Sequence, residues 1–186
     1  MSMIRNVEEK DRKAIENICL ATASEELRKT ESSRKFTLQL YNRYYTRMAK
    51  KHSFVSVDTD GKIEGYILCA PHFDTFYREF MRKEGKEIFK KSFSKGIYAL
   101  GSLLLQKPFA KQYPAHLHID ILEEYQNKGL GKKLMHTLKA HLKDMNCKGI
   151  FLVVGKENHR AVAFYQKQDF HILKKLGGAY LMGCSL

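Results

Sequence analysis

The chain has 186 residues, of which 44% are hydrophobic and 28% are charged, and this composition predicts one globular domain with a sizeable core. No apolar run is long enough to span a bilayer, and the first residues lack the apolar segment of a secretory signal. We therefore expect no membrane partner and a cytoplasmic location. The formal net charge of +13 is spread along the chain and favours an anionic partner, either a nucleic acid or a phosphorylated cofactor.

The first 70 residues predict a strand, two helices and a β-hairpin. Apolar residues recur at helical spacing in the two helices, and Asp11 is available as a cap near the start of the first. The Asp60-Gly61 pair between two apolar runs is typical of a tight turn between antiparallel strands. The expected elements are a strand at 3–7, helices at 8–23 and 36–50, and hairpin strands at 54–57 and 63–68.

The segment 71–114 has the least regular pattern. Residues 74–91 favour a helix, and residues 99–105 favour either a further helix or an irregular cover. Because the segment lies between better-defined strands, it forms either a lid or wall of an acceptor pocket, or a packed insertion without a direct role.

The pattern becomes clearer from Ala115 onwards. The run from His116 to Ile121 alternates strictly between polar and apolar residues, which predicts a strand with one apolar face. We expect Leu117, Ile119 and Ile121 to face the core and His116, His118 and Asp120 to lie on the opposite face. The remaining expected elements are a helix at 130–145, a buried strand at 149–154, a helix capped by Asn158 that runs through Lys167, and strands at 170–176 and 179–184.

The four cysteines predict neither a metal site nor a redox pair, since none of them is in C-x-x-C spacing. We expect them to be reduced and mostly buried. They are Cys19, Cys69, Cys147 and Cys184.

A glycine-containing segment, Gln126-Asn127-Lys128-Gly129-Leu130-Gly131, connects the alternating strand to the next helix. Glycines allow the backbone to turn tightly and to approach a ligand closely, and the free amides of a helix start favour an anion such as a pyrophosphate. The spacing fits neither a P-loop nor the three-glycine dinucleotide fingerprint. Taken alone, the segment favours an ordinary strand–helix connection over an anion site.

Together with its neighbours, this segment resembles motif A of the GNAT superfamily of N-acetyltransferases, Q/R-x-x-G-x-G/A. The chain has Glu123 where that family often has proline. The stretch from Asn158 to Tyr165, followed by Phe170, is similar to the family's motif B, N-x-x-A-x-x-F-Y. The run His116-Leu117-His118-Ile119-Asp120 also resembles the acetyltransferase-like domain of O-GlcNAcases and its free-standing bacterial counterparts.

The resemblance implies an α+β fold of three layers over residues 1–186, with a mixed, mostly antiparallel central sheet whose two central strands splay apart. It implies acetyl-coenzyme A as the cosubstrate and no metal. The pantetheine arm would pair with the backbone around Ile121 and Leu122, and the loop amides would hold the pyrophosphate. The residues implied in binding acetyl-coenzyme A are Ile121, Leu122, Gln126, Asn127, Lys128, Gly129, Leu130, Gly131, Lys132, Asn158 and Tyr165.

For catalysis, the resemblance implies that Tyr165 is the general acid beside the sulfur, the alternative being an aromatic core residue. His118 is a candidate base, acting directly or through water, and Asp120 a candidate to orient that water or to bind the substrate's cation. Each of the two could instead be a satisfied polar residue of the cleft wall. His116 is expected to be structural or exposed.

Three functions follow as hypotheses. The first is acetyl transfer to a primary amine by direct attack in a ternary complex, and the second is a non-catalytic acetyl-coenzyme A-binding domain. The third, a basic nucleic-acid-binding protein, has no aromatic–basic recognition motif to support it, so only non-specific contact is expected. The family resemblance also allows a homodimer, and no motif identifies the acceptor amine.

Overall fold

A computed structural model describes residues 2–186 as one seven-stranded sheet flanked by helices on both faces. The strand order is β1-β2-β3-β4-β5-β7-β6, and every neighbouring pair is antiparallel except β4–β5. The predicted mixed, mostly antiparallel sheet of a three-layer α+β fold is therefore confirmed. The strands are β1 (Met3–Asn6), β2 (Phe54–Val57), β3 (Ile63–Ala70), β4 (Ala115–Ile121), β5 (Gly149–Gly155), β6 (His171–Leu176) and β7 (Ala179–Ser185).

The helices begin and end within a few residues of the predicted positions in most cases. Two wide π-helical turns, Gln39–Arg43 and Met81–Gly85, join α3 to α4 and α5 to α6, so each predicted continuous helix is divided. The helices are α1 (Arg12–Thr22), α2 (Glu25–Arg28), α3 (Glu31–Leu38), α4 (Tyr44–Met48), α5 (Phe73–Phe80), α6 (Lys86–Lys91), α7 (Phe93–Gln106), α8 (Leu130–Asp144) and α9 (His159–Gln166).

The two faces of the sheet bury separate hydrophobic clusters, because side chains alternate along each strand. Tyr66 and Leu68 of β3 pack under α1 and the helices that follow it, whereas Ile67, Cys69 and Leu117 pack under α8 and α9. Helices α1 and α3–α7 thus cover one face and α8–α9 the other. The polar side of β4 is consequently also covered by protein.

Local geometry confirms the predicted hairpin and corrects the predicted cap of the first helix. Gly61 has φ +82°, and the N–H of Asp58 donates to the carbonyl of Lys62 at 2.9 Å, as a tight turn requires. Asp11 accepts a hydrogen bond from the N–H of Glu8, at the start of a short 3₁₀ turn that precedes α1. Its carboxylate also accepts two hydrogen bonds from Arg5, at 2.6 and 2.8 Å.

The segment 71–114 is more helical than its sequence indicates. The helix expected at 99–105 begins at Phe93 and continues to Gln106, with Ser92 as its N-cap. Gly96 allows α7 to pack closely against Phe89, since a Cβ at that position would lie 2.4 Å from the ring of Phe89.

No helix among residues 2–186 has the length and apolar character needed to cross a membrane.

All four cysteines are free thiols, as predicted. Cys19, Cys69 and Cys184 are buried, and Cys147 is partly exposed. Burial raises the pKa of the Cys19 thiol to about 12, which keeps it protonated and unreactive at neutral pH.

Candidate active site

The central feature of the sheet is the separation of β4 from β5. The parallel ladder between them is limited to two pairs, Ala115 with Ile150 and His116 with Phe151. Beyond these, residues 117–121 keep their pairing with β3 but have no strand partner on the other edge within the described part of the chain, while β5 continues to pair with β7. We call the wedge between 117–121 and the facing half of β5 the strand gap. Backbone groups that point into it are available to a ligand.

The glycine segment lies at the mouth of the strand gap. Gly129 immediately precedes α8 with φ +78°, a conformation that costs other residues strain, and space is open where a side chain would begin. At Gly131 an added Cβ would lie 3.2 Å from the Phe164 ring and 3.4 Å from Ile121. The loop therefore brings the start of α8 close to β4, with the first amides of the helix exposed for an anion. These features fit the diphosphate of acetyl-coenzyme A.

Basic residues surround this loop. Lys128 and Lys132 are exposed, and the ammonium of Lys128 lies 5.4 Å from the centre of the Tyr125 ring. Arg160 of α9 donates a hydrogen bond of 2.7 Å to the side-chain oxygen of Asn127, so it joins the two sides of the mouth. The sequence reasoning missed Arg160, although it is inside the quoted motif B.

The backbone of Ile121, more than that of Leu122, faces the strand gap. The N–H of Leu122 donates to the carbonyl of Glu64 on β3 at 3.1 Å, and its carbonyl accepts from the N–H of Tyr125 at 2.9 Å. Because backbone groups alternate in direction along a strand, those of Ile121 point the other way. The Ile121 carbonyl accepts a 2.7 Å hydrogen bond from the Gln126 side chain. The N–H of Ile121 is thus the donor directed into the gap.

Asn158 is the N-cap of α9, as predicted. Its side-chain oxygen accepts a hydrogen bond of 3.1 Å from the N–H of Ala161, and the residue is exposed. The cap uses the oxygen only, so the amide nitrogen is the atom of this side chain that can donate to a ligand.

Tyr165 of α9 is buried, with 8% of its surface exposed, and packs against the rings of Phe164 and Phe170. Burial raises the pKa of its hydroxyl, and the negative charge of Asp120 raises it further. Tyr165 therefore stays protonated at neutral pH, which is the state a proton donor must have.

Asp120 on β4 is held from the neighbouring strand. The hydroxyl of Tyr66, the residue opposite in the β3–β4 register, donates a hydrogen bond to its Oδ2. Burial raises the pKa of this carboxyl above its usual range, whereas the hydrogen bond from Tyr66 and the nearby Thr22 hydroxyl lower it in part. No ion-pair partner of Asp120 is present among residues 2–186. It is therefore a partly buried carboxylate that lacks a cation.

His118 lies on the same side of β4, two residues earlier. Its Nε2 is shielded from solvent and has no hydrogen-bond partner among residues 2–186. The rings of Tyr41 and Tyr45 meet the imidazole edge-on, with ring centres 5.2 and 5.1 Å away. Burial lowers the pKa of His118 to about 4, so the imidazole is neutral at physiological pH. A buried nitrogen without a partner is uncommon and indicates a position that a ligand or water completes.

His116 has a structural environment, one of the two alternatives predicted for it. The residue is buried, and its Nδ1 forms a 2.8 Å hydrogen bond with the hydroxyl of Tyr45. Burial holds the pKa of His116 well below its usual range. The rings of Phe73, Phe76 and Phe151 lie between 5.0 and 5.8 Å from it.

Three helical elements enclose this polar side of β4, which we call the acceptor side. Tyr41 and Tyr45 come from the helical turns between β1 and β2, and Phe73 and Phe76 from α5, inside the segment 71–114.

A cleft of about 500 Å³ opens beside the end of β4, between α1 and the β2–β3 turn, and includes Leu122 in its lining. Among residues 2–186, no cluster of three or more His, Cys, Asp or Glu side chains is placed to hold a metal ion.

A strand gap with a glycine turn and a helix start at its mouth is the arrangement expected of a protein that binds acyl-coenzyme A. The model of the acetyltransferase (GNAT) family matches residues 19–170. The chain belongs to the acetyltransferase (GNAT) family. Acetyl-coenzyme A is the acetyl donor of this family, and the open glycine turn and the gap fit it.

Two curated proteins resemble part of the chain. An N-alpha-acetyltransferase of Saccharolobus solfataricus is 38% identical over 66 residues, which cover 35% of this chain and 40% of the relative. A spermine/spermidine N(1)-acetyltransferase of Bacillus subtilis is 43% identical over 49 residues, which cover 26% of this chain and 32% of the relative. The similarity thus spans less than half of the length of these relatives.

A solved structure resembles nearly the whole chain. The crystal structure of SsHAT superposes with a TM-score of 0.86 at 25% sequence identity, covering 99% of this chain and 98% of that one. The likeness includes the segment 71–114, so this helical insertion is part of the shared fold.

Proposed function

We propose that this protein transfers the acetyl group of acetyl-coenzyme A to a primary amine by direct attack, with both substrates bound at once. The observation that carries the proposal is the position of Asp120. Its carboxylate lies beside the strand gap, partly buried and without a cation among residues 2–186, next to the shielded and unpartnered Nε2 of His118. A carboxylate in this position favours a positively charged amine.

On the donor side, the amides from Gln126 to Gly131 would hold the diphosphate, with Lys128, Lys132 and Arg160 supplying positive charge. The amide nitrogen of Asn158 would donate a hydrogen bond to the pantetheine arm. When bound, acetyl-coenzyme A supplies an acetyl thioester, which is activated for attack by an amine. The N–H of Ile121, directed into the gap, would stabilise negative charge that develops on the thioester oxygen.

On the acceptor side, Asp120 would bind the ammonium form of the substrate and then take its proton. A raised pKa makes this carboxylate a stronger base than an ordinary aspartate, whereas the lowered pKa of His118 makes the imidazole a weaker one. His118 would accept a hydrogen bond from the amine through Nε2 and orient its lone pair. Of the two candidate bases, we therefore favour Asp120.

Tyr165 would donate a proton to the departing thiolate. Its position on α9 beside the gap and its protonated state support this role. The nitrogen of the ammonium loses two protons in the reaction, the first to Asp120 before attack and the second to solvent from the tetrahedral adduct, while Tyr165 donates one proton to the sulfur. Solvent then reprotonates Tyr165 and deprotonates Asp120, so that one proton is released for each acetyl group transferred.

The segment 71–114 would form one wall of the acceptor pocket. Phe73 and Phe76 of α5 contact the ring of His116, and Tyr98 of α7 lies near the hydroxyl of Tyr41, whose ring meets His118. The finer resemblance to the acetyltransferase-like domain of O-GlcNAcases, based on the His116–Asp120 strand, stays a prediction, as does a homodimer.

The experiment is release of the coenzyme A thiol from acetyl-coenzyme A with a panel of amines: peptides with free N-termini, a lysine peptide blocked at its N-terminus, and spermidine. We expect turnover with at least one amine and a loss of about 100-fold in kcat/KM in Asp120→Asn, with unchanged affinity for acetyl-coenzyme A. The loss of kcat/KM in His118→Gln should be smaller than in Asp120→Asn.

The alternative is a non-catalytic acetyl-coenzyme A-binding domain. Tight binding of acetyl-coenzyme A by calorimetry, together with no thiol release above the uncatalysed rate for any amine, would establish that alternative. No affinity for acetyl-coenzyme A at all would contradict both functions.

A further inference from the structure

Helix α7 presents an apolar face to solvent. Five of its side chains are exposed by 46 to 73%, a pattern unlike that of an ordinary surface helix, whose outer side is polar. With successive residues about 100° apart, they fall within an arc of about 140° that contains Gly101 and Ser94 but no charged residue. The five are Phe93, Ile97, Tyr98, Leu104 and Leu105.

The inner side of α7 is already packed against the protein. Gly96, Ala99, Leu103 and Gln106 are buried, and Gly96 lies against the Phe89 ring. The helix is therefore apolar almost all the way round but covered on one side only. A contiguous exposed apolar surface of this kind marks an interaction site.

The segments that flank α7 are strongly basic. Residues 81–114 contain eight Lys and Arg against two Glu, a net charge of +6 within a chain of net charge +13. One of the two acids, Glu84, is buried between Arg43 and Arg47, and the other, Glu87, is paired with Lys35 and Lys91. Exposed lysines thus stand at both ends of the apolar face: Lys86, Lys90, Lys107 and Lys111.

We propose that α7 is a docking helix that lays its apolar face on an anionic lipid bilayer. The five side chains would enter the boundary between headgroups and acyl chains, and the lysines on both sides would meet the negative headgroups. This inference departs from the expectation of no membrane partner, which rested on the absence of an apolar span in the sequence. A helix that lies in the interface needs no such span.

A second copy of the chain fits this face less well. Two copies joined through α7 would bring lysines at the helix ends against lysines of the other copy, in either orientation of the helices. The five side chains together offer on the order of 500 Å², below the roughly 800 Å² per partner that a stable interface buries. An anionic bilayer avoids both difficulties. Its negative headgroups complement the lysines, and reversible binding to it does not require a fixed minimum of buried area.

The docking helix lies on the same sheet face as the acceptor side. The ring of Tyr98 packs against Phe36 at 6.2 Å, and Tyr98 lies near the hydroxyl of Tyr41. A protein docked through α7 would therefore hold its acceptor side close to the lipid surface. The helices on the other face, α8 and α9, would point away from the membrane.

The test is co-sedimentation of the full chain with vesicles of phosphatidylcholine alone and of phosphatidylcholine mixed with phosphatidylglycerol. We expect binding to the anionic vesicles to exceed that to neutral vesicles by roughly tenfold, and to fall as salt is raised. Phe93→Ser combined with Ile97→Ser should reduce the binding by about tenfold. The matched control is Met3→Ser combined with Ile172→Ser, which removes two exposed apolar side chains from β1 and β6 and should bind like the parent protein.

A second pair of variants tests the charge. Lys107→Gln with Lys111→Gln should weaken binding to the anionic vesicles, whereas Lys143→Gln with Lys148→Gln removes equal charge from the end of α8 and the loop after it and should not. Equal binding to neutral and anionic vesicles, or wild-type binding by the Phe93/Ile97 variant, would overturn the proposal. So would a dimer in solution that the Phe93/Ile97 variant abolishes, because the face would then belong to a second copy. None of these measurements depends on acetyl transfer, so they stand apart from the proposed activity.

Discussion

Tyr66 and Asp120 face each other across the β3–β4 pair, and the Tyr66 hydroxyl donates a hydrogen bond to the Asp120 carboxylate. The hydroxyl is fully enclosed, with the Cys19 thiol beside it, and burial raises its pKa well above the usual value. Tyr66 is therefore always a donor. It fixes Oδ2 of the carboxylate, and the proposed contact with a substrate amine falls to the other oxygen.

Removing this hydrogen bond should change the pH profile. In Tyr66→Phe the pKa of Asp120 rises further, because the hydrogen bond that lowers it is lost while burial remains. Asp120 then becomes protonated at a higher pH, so the acid limb of kcat/KM should move upwards by about one pH unit. The profile is measured by thiol release. Tyr180→Phe, on β7, should leave the limb in place, and an unmoved limb in Tyr66→Phe would disprove the positioning role.

The glycine turn offers a matched pair of variants. Gly129 and Gly61 have nearly the same positive φ, +78° and +82°, and both have open space where a side chain would begin. Gly129→Glu and Gly61→Glu should therefore each cost about 1–2 kcal/mol of stability. Only Gly129→Glu places a carboxylate at the anion site, so it alone should weaken acetyl-coenzyme A binding, by at least roughly 100-fold. Calorimetry measures the affinity and urea unfolding the stability. An equal loss of affinity in both variants would show that backbone strain, and not the site, is responsible.

Tyr165→Phe should separate catalysis from binding. The variant keeps the buried ring but removes the proton donor, so kcat should fall about 100-fold while the dissociation constant for acetyl-coenzyme A changes little. Tyr113, which has the same exposure of 8%, provides the control. Tyr113→Phe should retain kcat. If turnover in Tyr165→Phe matches that of Tyr113→Phe, Tyr165 is an aromatic core residue only.

A histidine pair away from the site should make stability depend on pH. Nδ1 of His52 lies 2.9 Å from Nε2 of His141, and burial, with the nearby charges of His141, Lys51 and His72, lowers the pKa of His52 to about 4. In the unfolded chain that pKa is about 6.5, so the unfolded state takes up a proton first as the pH falls. Stability present above about pH 6.5 should be lost progressively towards pH 4.

The size of that loss is about 1 kcal/mol, because His52 is only partly buried and solvent screens the interaction. His52→Gln should flatten the dependence of the unfolding free energy on pH, measured by urea titration between about pH 7 and about pH 5. His159→Gln, at a mostly exposed histidine, should leave it unchanged. A steeper dependence in His52→Gln would contradict the assignment.

Local sequence determined the turns, caps and strand alternation on which the proposed acetyl-donor site is built. The alternation from His116 to Ile121, the turn Asp60-Gly61, the glycines at 129 and 131, and the Asn158 cap all act through neighbours in the chain, so they could be read directly. All are present where they were predicted, and the two motifs, in agreement with the order of strands and helices around them, indicated the family.

Only the tertiary structure decided the surroundings of β4. That β4 leaves β5 after two pairs, and that Tyr66, Tyr41 and Tyr45 converge on Asp120, His118 and His116, depends on contacts between residues 35 to 77 positions apart. Such contacts depend on how the sheet twists and which helices cover it. The hydrophobic periodicity within one segment does not predict them.

The same limit applies to α7. Its apolar residues predict a helix, but periodicity does not say which of two apolar sides meets the protein and which meets solvent. That was decided by Gly96, which admits Phe89 on one side and leaves Phe93, Ile97 and Leu104 outside. The sequence by itself therefore determined the family and the glycine turn before α8, because the motifs and the turn are local. The environment of the candidate base and the exposed helix were decided by packing, because burial is a property of the whole fold.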